Sequence, residues 1–343
     1  MSGLTRDRLD LTRQQILAFR RHVGALDERL PRGRRSLRLA AWAGLKDSMP
    51  RAALLSIHAR VEGTQPSTWE DPSLVQLWGP HHHAYVVPAR DLAVFSLGRL
   101  PDDPAGRRVA EDLAARLHAH LGDSSMTYGE AGRALGEPPN RLRYAAPTGT
   151  VVIRWDGARQ PTIRSVPRPD VDPGAARLEL ARRFLHIFGP TTPEAFSEWS
   201  AIPVRRAGET FDALRRSLMP VRTPVGDGWM LARDEPTFLA TPGSVALARL
   251  LPSGDAYFLL QGVDRELLVT DADRRRELWT PRVWPGALLV EGDVVGVWRR
   301  SQGTVNVHAW RRLSRADRDA VDEEAASLPL PGEVGKIVVR WEA

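Results

Sequence analysis

One order of elements recurs along this chain: helix, helix, tight turn, helix, extended hairpin. It is clearest over residues 105–166. A helix is expected at 105–121. Thr127 is a candidate N-cap with Glu130 three residues on, a capping box, and its helix runs through Ala131 and Leu135 to Gly136. Pro138-Pro139-Asn140 opens a short helix from Arg141 to Ala146. Val151–Trp155 and Thr162–Val166 then read as strands, with Asp156-Gly157 as a turn between them. The order repeats downstream. A helix is expected from Pro173 to Phe188, stopped by Gly189-Pro190, and a second is capped by Thr192 and carries Phe196 and Trp199. A third runs from Arg205 to Leu218, followed by Met219–Thr223, the turn Gly226-Asp227-Gly228, and Trp229–Leu231. Thr127 and Thr192 stand 65 residues apart, the length of one such unit.

The N-terminal stretch repeats the order less clearly. Leu11, Ile16, Leu17, Phe19, Val23, Leu26 and Leu30 fall at helical spacing until Pro31 and Gly33 interrupt them. Leu37–Leu45, Ala52–Val61 and a stretch opened by Pro72, carrying Leu74, Val75, Leu77 and Trp78, read as further helices. Ala84–Val87 reads as a strand. From about Gly254 strands dominate: Tyr257–Leu260, Leu267–Thr270, Ala287–Val290, Val294–Arg299, Val305–Trp310 and Lys336–Trp341, with an amphipathic helix at Arg315–Ala326. Helices followed by a hairpin make a winged helix-turn-helix. The expected fold class is therefore α+β, with three tandem winged modules and a small β-rich tail that a barrel would suit. The expected boundaries are 1–100, 101–171, 172–243 and 244–343.

Composition removes several chemistries. The 343 residues contain no cysteine, which excludes disulfides, thiolate metal sites and thiol nucleophiles and fits a reducing compartment. No apolar run approaches the roughly 18 residues of a membrane span, and the first residues lack the apolar core of a secretory signal. A cytoplasmic, nucleoid-associated protein with no membrane contact is expected. The net charge is +6, and all but two of the 48 basic residues are arginine, the exceptions being Lys46 and Lys336. Part of that arginine bias reflects a GC-rich genome, so its distribution carries more than its total. Residues 1–60 hold 13 basic and 5 acidic side chains, whereas the remainder is slightly acidic. A localised excess of this kind suits a polyanion-binding surface, and a merely solvated basic face would look the same.

The segment from Ala43 through Gly44, Lys46, Asp47, Ser48, Pro50 and Arg51 to Leu55 resembles the N-terminal signature of the winged-helix DNA glycosylases that excise bulky alkylated bases and unhook interstrand crosslinks. Leu250-Leu251-Pro252 with Asp255, Tyr257, Asp264 and Arg265, then Trp284-Pro285-Gly286, Gly292 and Val295–Arg300, extend that resemblance over most of the chain. The resemblance implies winged modules in a C shape closed by a C-terminal β-barrel. It also implies hydrolysis of the N-glycosidic bond of N7-alkylated purines, no cofactor and no metal, and a monomer on double-stranded DNA. Genotoxin self-resistance is one setting for such an enzyme.

Members of that family usually carry Gln–aliphatic–Gln or Gln–aliphatic–Asp where this chain has Lys46-Asp47-Ser48. Asp47 is a candidate general base and could stabilise a cationic sugar, Ser48 could orient water, and Lys46 could contact phosphate or attack the sugar as an amine. Equally, Asp47 could face solvent or pair with Arg51, and Ser48 could cap the next helix. The family's usual Arg-Gly-Thr-x-His-like segment is here His81-His82-His83-Ala84-Tyr85, with Tyr85 at the histidine position. Adjacent strand residues point to opposite faces, so the three histidines read as lining a DNA-facing cleft rather than holding a metal. Other candidate DNA contacts are Arg32, Arg34, Arg35, Arg38, Arg51, Arg141, Arg143, Arg205, Arg206, Arg299, Arg300 and Gln302. Trp42, four residues from Lys46, would lie one helical turn from it if the helix continued. The rival reading is a non-catalytic winged-helix DNA-binding protein or transcription regulator.

Overall fold

The computed structural model describes residues 8–47, 51–157, 159–241, 243–301, 303–330 and 337–342. Its strands, in chain order, are β1 (Leu9–Asp10), β2 (Leu45–Lys46), β3 (Leu74–Trp78), β4 (Ala84–Pro88), β5 (Ser125–Thr127), β6 (Val151–Arg154) and β7 (Thr162–Ser165). They continue as β8 (Leu218–Thr223), β9 (Gly226–Leu231), β10 (Ala248–Leu251), β11 (Gly286–Val290), β12 (Asp293–Ser301), β13 (Thr304–Ala309) and β14 (Val338–Glu342). Three sheets result: β1-β8-β9, β2-β4-β3-β6-β7-β5 and β10-β11-β12-β13-β14.

Local chemistry explains most helix boundaries. Thr127 and Glu130 close the expected capping box, and Thr192 accepts the amide of Ala195. Asp103 and Asp172 cap helices Pro104–Leu121 and Pro173–Phe188, each with proline at the first helical position, where a missing N–H costs nothing. Ser314 and Asp317 form another capping box at the start of helix Arg315–Ala326. Phe184, Phe188, Phe196, Trp199 and Phe211, all buried, join helices Pro173–Phe188, Pro193–Ser200 and Val204–Leu214 in one aromatic core.

Non-local pairing reshapes several expected elements. The stretch after Pro72 is not a helix but β3, which pairs with β4 along its length and with β6 at Gln76 and Ile153. A short apolar run suits either a buried helix or a buried strand, and the ladder decides. That single Gln76–Ile153 pairing merges two hairpins into one six-stranded sheet. The first helix covers only Arg13–Val23, and Leu30 instead bridges to Val61. Tyr257–Leu260 and Leu267–Thr270 are not strands. Asp255 accepts the amide of Tyr257 and caps a 3-10 turn at Ala256–Phe258, and Asp264–Leu268 is helical.

The C-terminal barrel is also corrected: the sheet is open. β10 and β14 are its two edges and do not pair with each other. β14 runs parallel to β13, and a parallel neighbour requires a crossover, here the helix Arg315–Ala326. Val321 and Ala325 of that helix pack with Leu250, Leu288, Val305 and Val307, so a helix covers the apolar face that strand closure would otherwise bury.

Candidate functional site

The site grows from β2, a two-residue edge strand. Leu45 opposes Val86 and Lys46 opposes Tyr85, and the Asp47 amide donates to the Ala84 carbonyl at 2.8 Å. Strand alternation sends Leu45 and Asp47 inward together. Leu45 packs with Ala53, Ile57 and Val86, and Asp47, only 3% exposed, lies beneath the start of helix Ala52–His58. One Asp47 oxygen accepts the Ala53 amide at 3.0 Å, and the other accepts Gln76 Nε2 at 2.8 Å. Gln76 is itself fixed because its Oε1 accepts the Trp155 amide at 2.5 Å. Burial raises the Asp47 carboxyl to about 6, against the Ala53 amide, Arg51 and Gln76, which favour the charged form.

Arg51 has left-handed backbone (φ 67°) and stacks its guanidinium 4.0 Å from the Trp69 ring. Its Nη1 is buried without a hydrogen-bond partner among the described residues. Arg154 approaches the same ring at 5.0 Å. Lys46 runs past Gly254, where a Cβ would come within 3.0 Å of its Cδ, and its Nζ lies 5.6 Å from the Trp284 ring. Burial lowers the Lys46 ammonium from its ordinary value.

The three histidines form a turn between β3 and β4, with His81 and His82 in left-handed backbone. His81 Nε2 lies 2.5 Å from the Glu198 carbonyl oxygen, and the His82 ring lies 4.9 Å from that of Tyr144. Burial lowers His82 and His83 to about 4, aided at His82 by Arg99 and at His83 by Lys46. Tyr85 is buried against Gly44 and Gly79. A Cβ on Gly79 would sit 2.6 Å from the tyrosine ring, so glycine is required for this close approach. Among the described residues, no group of three or more histidine, aspartate or glutamate side chains is arranged to hold a metal.

Asp47 and Arg51 are thus brought together at the start of helix Ala52–His58, whereas Lys46, on the opposite face of the edge strand, lies near His83, with His82 and Arg143 next to that histidine. The other arginines are dispersed. Arg32 packs on Gly63, Arg34 pairs with Asp71 at 3.5 Å, Arg35 is exposed and Arg38 is half-buried. Arg141 pairs with Glu137 at 3.4 Å, and Arg143 donates to the Tyr128 hydroxyl at 2.9 Å. Arg205 and Arg206 both pair with Glu209, and Arg206 also pairs with Asp102. Arg299 donates to the Val283 carbonyl and, with exposed Arg300, lies on β12 of the separate C-terminal sheet. Ser48 and Gln302 lie outside the described residues. Trp42 does not stack on Lys46: the helix ends at Ala40, and Trp42 lies 4.9 Å from the Arg183 guanidinium. Sequence reasoning missed Gln76, Trp69 and Trp284. For Gln76 there was a signal, a lone amide inside the apolar run Leu74–Trp78.

The mixed α/β fold of this chain is that of a solved DNA glycosylase. It matches the Streptomyces sahachiroi DNA glycosylase AlkZ with a TM-score of 0.77 at 18% identity, covering 97% of this chain and 100% of that one. Residues 39–329 match the family model described as DNA glycosylase AlkZ-like, so the chain belongs to the AlkZ-like DNA glycosylases, a family of DNA repair. No curated protein matches it by sequence. DNA is the partner that membership implies. No helix among the described residues is long and apolar enough to cross a membrane.

Proposed function

We propose that this chain is a monofunctional glycosylase that hydrolyses the N-glycosidic bond of bulky N7-alkylated purines or interstrand crosslinks in double-stranded DNA. It acts as a monomer, and genotoxin self-resistance is its setting. Residues 1–100, 101–171 and 172–243 serve as three winged modules in a C shape around the duplex, with 244–343 completing it. A bulky adduct is hard to flip fully into a tight pocket, and an open cleft lets it stay partly stacked.

The observation that carries the reading is Asp47, a buried carboxylate held from both sides by the Ala53 amide and Gln76. Its Oδ1 accepts the Ala53 amide and its Oδ2 accepts Gln76 Nε2, and a carboxylate offers about four lone-pair sites in all. With the carboxyl at about 6, most of it is ionised at neutral pH. It is therefore able to take a proton from water and to oppose the positive charge that develops on the sugar. Ser48 orients that water. Lys46, Arg51 and His83 receive phosphate.

A second reading draws on the same bonds: both Asp47 oxygens are already engaged by protein, which suits a structural cap in a non-catalytic DNA reader. Duplex DNA carrying N7-alkylpurines, treated with base after incubation and resolved on a strand-cleavage gel, separates the two. The enzyme reading expects cleavage at the adduct, lost in Asp47→Asn. No excision from any adduct, with salt-dependent binding intact, would overturn it in favour of the reader.

A further inference from the structure

A cavity of about 340 Å3 opens between helix Arg13–Val23, the segment Leu39–Leu45 and Tyr257. Its size falls within the range of small-molecule sites. Its lining holds Arg20, His22, Arg60, His186 and Arg233, and no aspartate or glutamate. The rest of the wall is largely apolar, with Trp42, Leu39 and Leu30 on it.

These cations are not equally compensated. Arg60 forks onto Asp255 at 2.7 and 2.8 Å, and His186 Nδ1 lies 2.9 Å from Asp234. Arg20 is different. It is 3% exposed, and it donates only to the neutral carbonyls of Phe188, Gly189 and Pro190 at the end of helix Pro173–Phe188. Its Nη1 is buried with no hydrogen-bond partner among the described residues. Asp264 acts on it through space without forming an ion pair. Arg20 is thus a buried cation without a bonded carboxylate, and an anion held by the cationic lining would offset its charge.

The geometry points to a binding site for a small flat carboxylate, its carboxyl group drawn by the cationic lining around Arg20 and its apolar body against Trp42 and the aliphatic wall. Trp42 offers an aromatic surface there, held edge-on to His186 at 5.3 Å. The site borders Gly44 and Leu45, the residues that lead into Lys46, yet it stands independently of the proposed excision chemistry.

Isothermal titration of the full chain with 2-naphthoate tests this. The uncharged comparator is 2-naphthylmethanol, and inorganic phosphate supplies charge without an apolar body. Leu39→Glu sets a like charge at the rim. Leu39 is 51% exposed, so this variant keeps its fold, which a thermal melt verifies. The expected result is saturable one-to-one binding of 2-naphthoate, weakened about tenfold or more for the alcohol, for phosphate and in Leu39→Glu. No saturation at millimolar ligand, equal binding of either comparator, or unchanged affinity in Leu39→Glu would overturn the assignment.

Discussion

Gln76 Nε2 donates to Asp47 Oδ2 at 2.8 Å, tying the centre of the six-stranded sheet to its edge. The same glutamine accepts the Trp155 amide, so one side chain links β3, the residue after β2 and the chain just beyond β6. It supplies to a buried carboxylate the donor that water would supply outside.

Gln76→Leu removes that donor. The cost should be about 1–3 kcal/mol, and larger at pH 8 than at pH 5, because the ionised carboxylate needs the hydrogen bond most. Asp47 titrates near 6 in the fold against 3.8 in the open chain, so the folded state holds its proton more tightly between those values. The stability from this group is complete below about pH 4 and is lost as pH rises through about 6. Urea midpoints of wild type minus those of Asp47→Asn should therefore fall across that window. A flat difference would show that Asp47 is not buried as described.

The histidine turn carries the opposite sign. His82 and His83 are lowered to about 4 from 6.5, so their contribution is present above about 6.5 and is lost as pH falls toward 4. A His82→Gln, His83→Gln double variant should lose less stability than wild type between pH 7 and pH 4.5. Chemical denaturation at several pH values measures this, and parallel curves for the two proteins would contradict it.

Two exposed arginines should differ on DNA. Arg205 is paired with Glu209, whereas Arg35 lies in the basic first sixty residues and is exposed. Arg35→Ala should reduce the slope of log affinity against log salt by about 1, and Arg205→Ala should change it much less. Fluorescence anisotropy with a duplex at several salt concentrations reads both slopes. Equal slopes for the two variants would remove Arg35 from the interface.

Phe196 is fully buried, with ring centroids 5.3 Å from Phe184 and 6.0 Å from Phe211. Phe196→Ala should destabilise the fold by about 3–5 kcal/mol, the transfer term plus the cavity left among three helices. Circular dichroism in urea measures it, and a loss under about 1 kcal/mol would mean the helices close the gap.

The amino-acid sequence alone determined what depends on neighbours a few residues away. Thr127 with Glu130, and Thr192 with Ala195, set helix starts through local hydrogen bonds, and helices Pro173–Phe188 and Arg315–Ala326 begin and end where their caps and periodicity put them. It also carried the family resemblance through Gly44–Arg51. Only the tertiary structure decided matters that rest on contacts across long loops. The run Leu74–Trp78 is a strand because β4 and β6 flank it, and the C-terminal sheet stays open because helix Arg315–Ala326 covers it. The setting of Asp47 belongs to the same class. Gln76 stands 29 residues away in sequence, and its hydrogen bond exists only once both strands are paired in register. A local pattern shows which residues are polar, but whether a carboxylate meets water or an amide is settled by burial, and burial is a property of the whole fold.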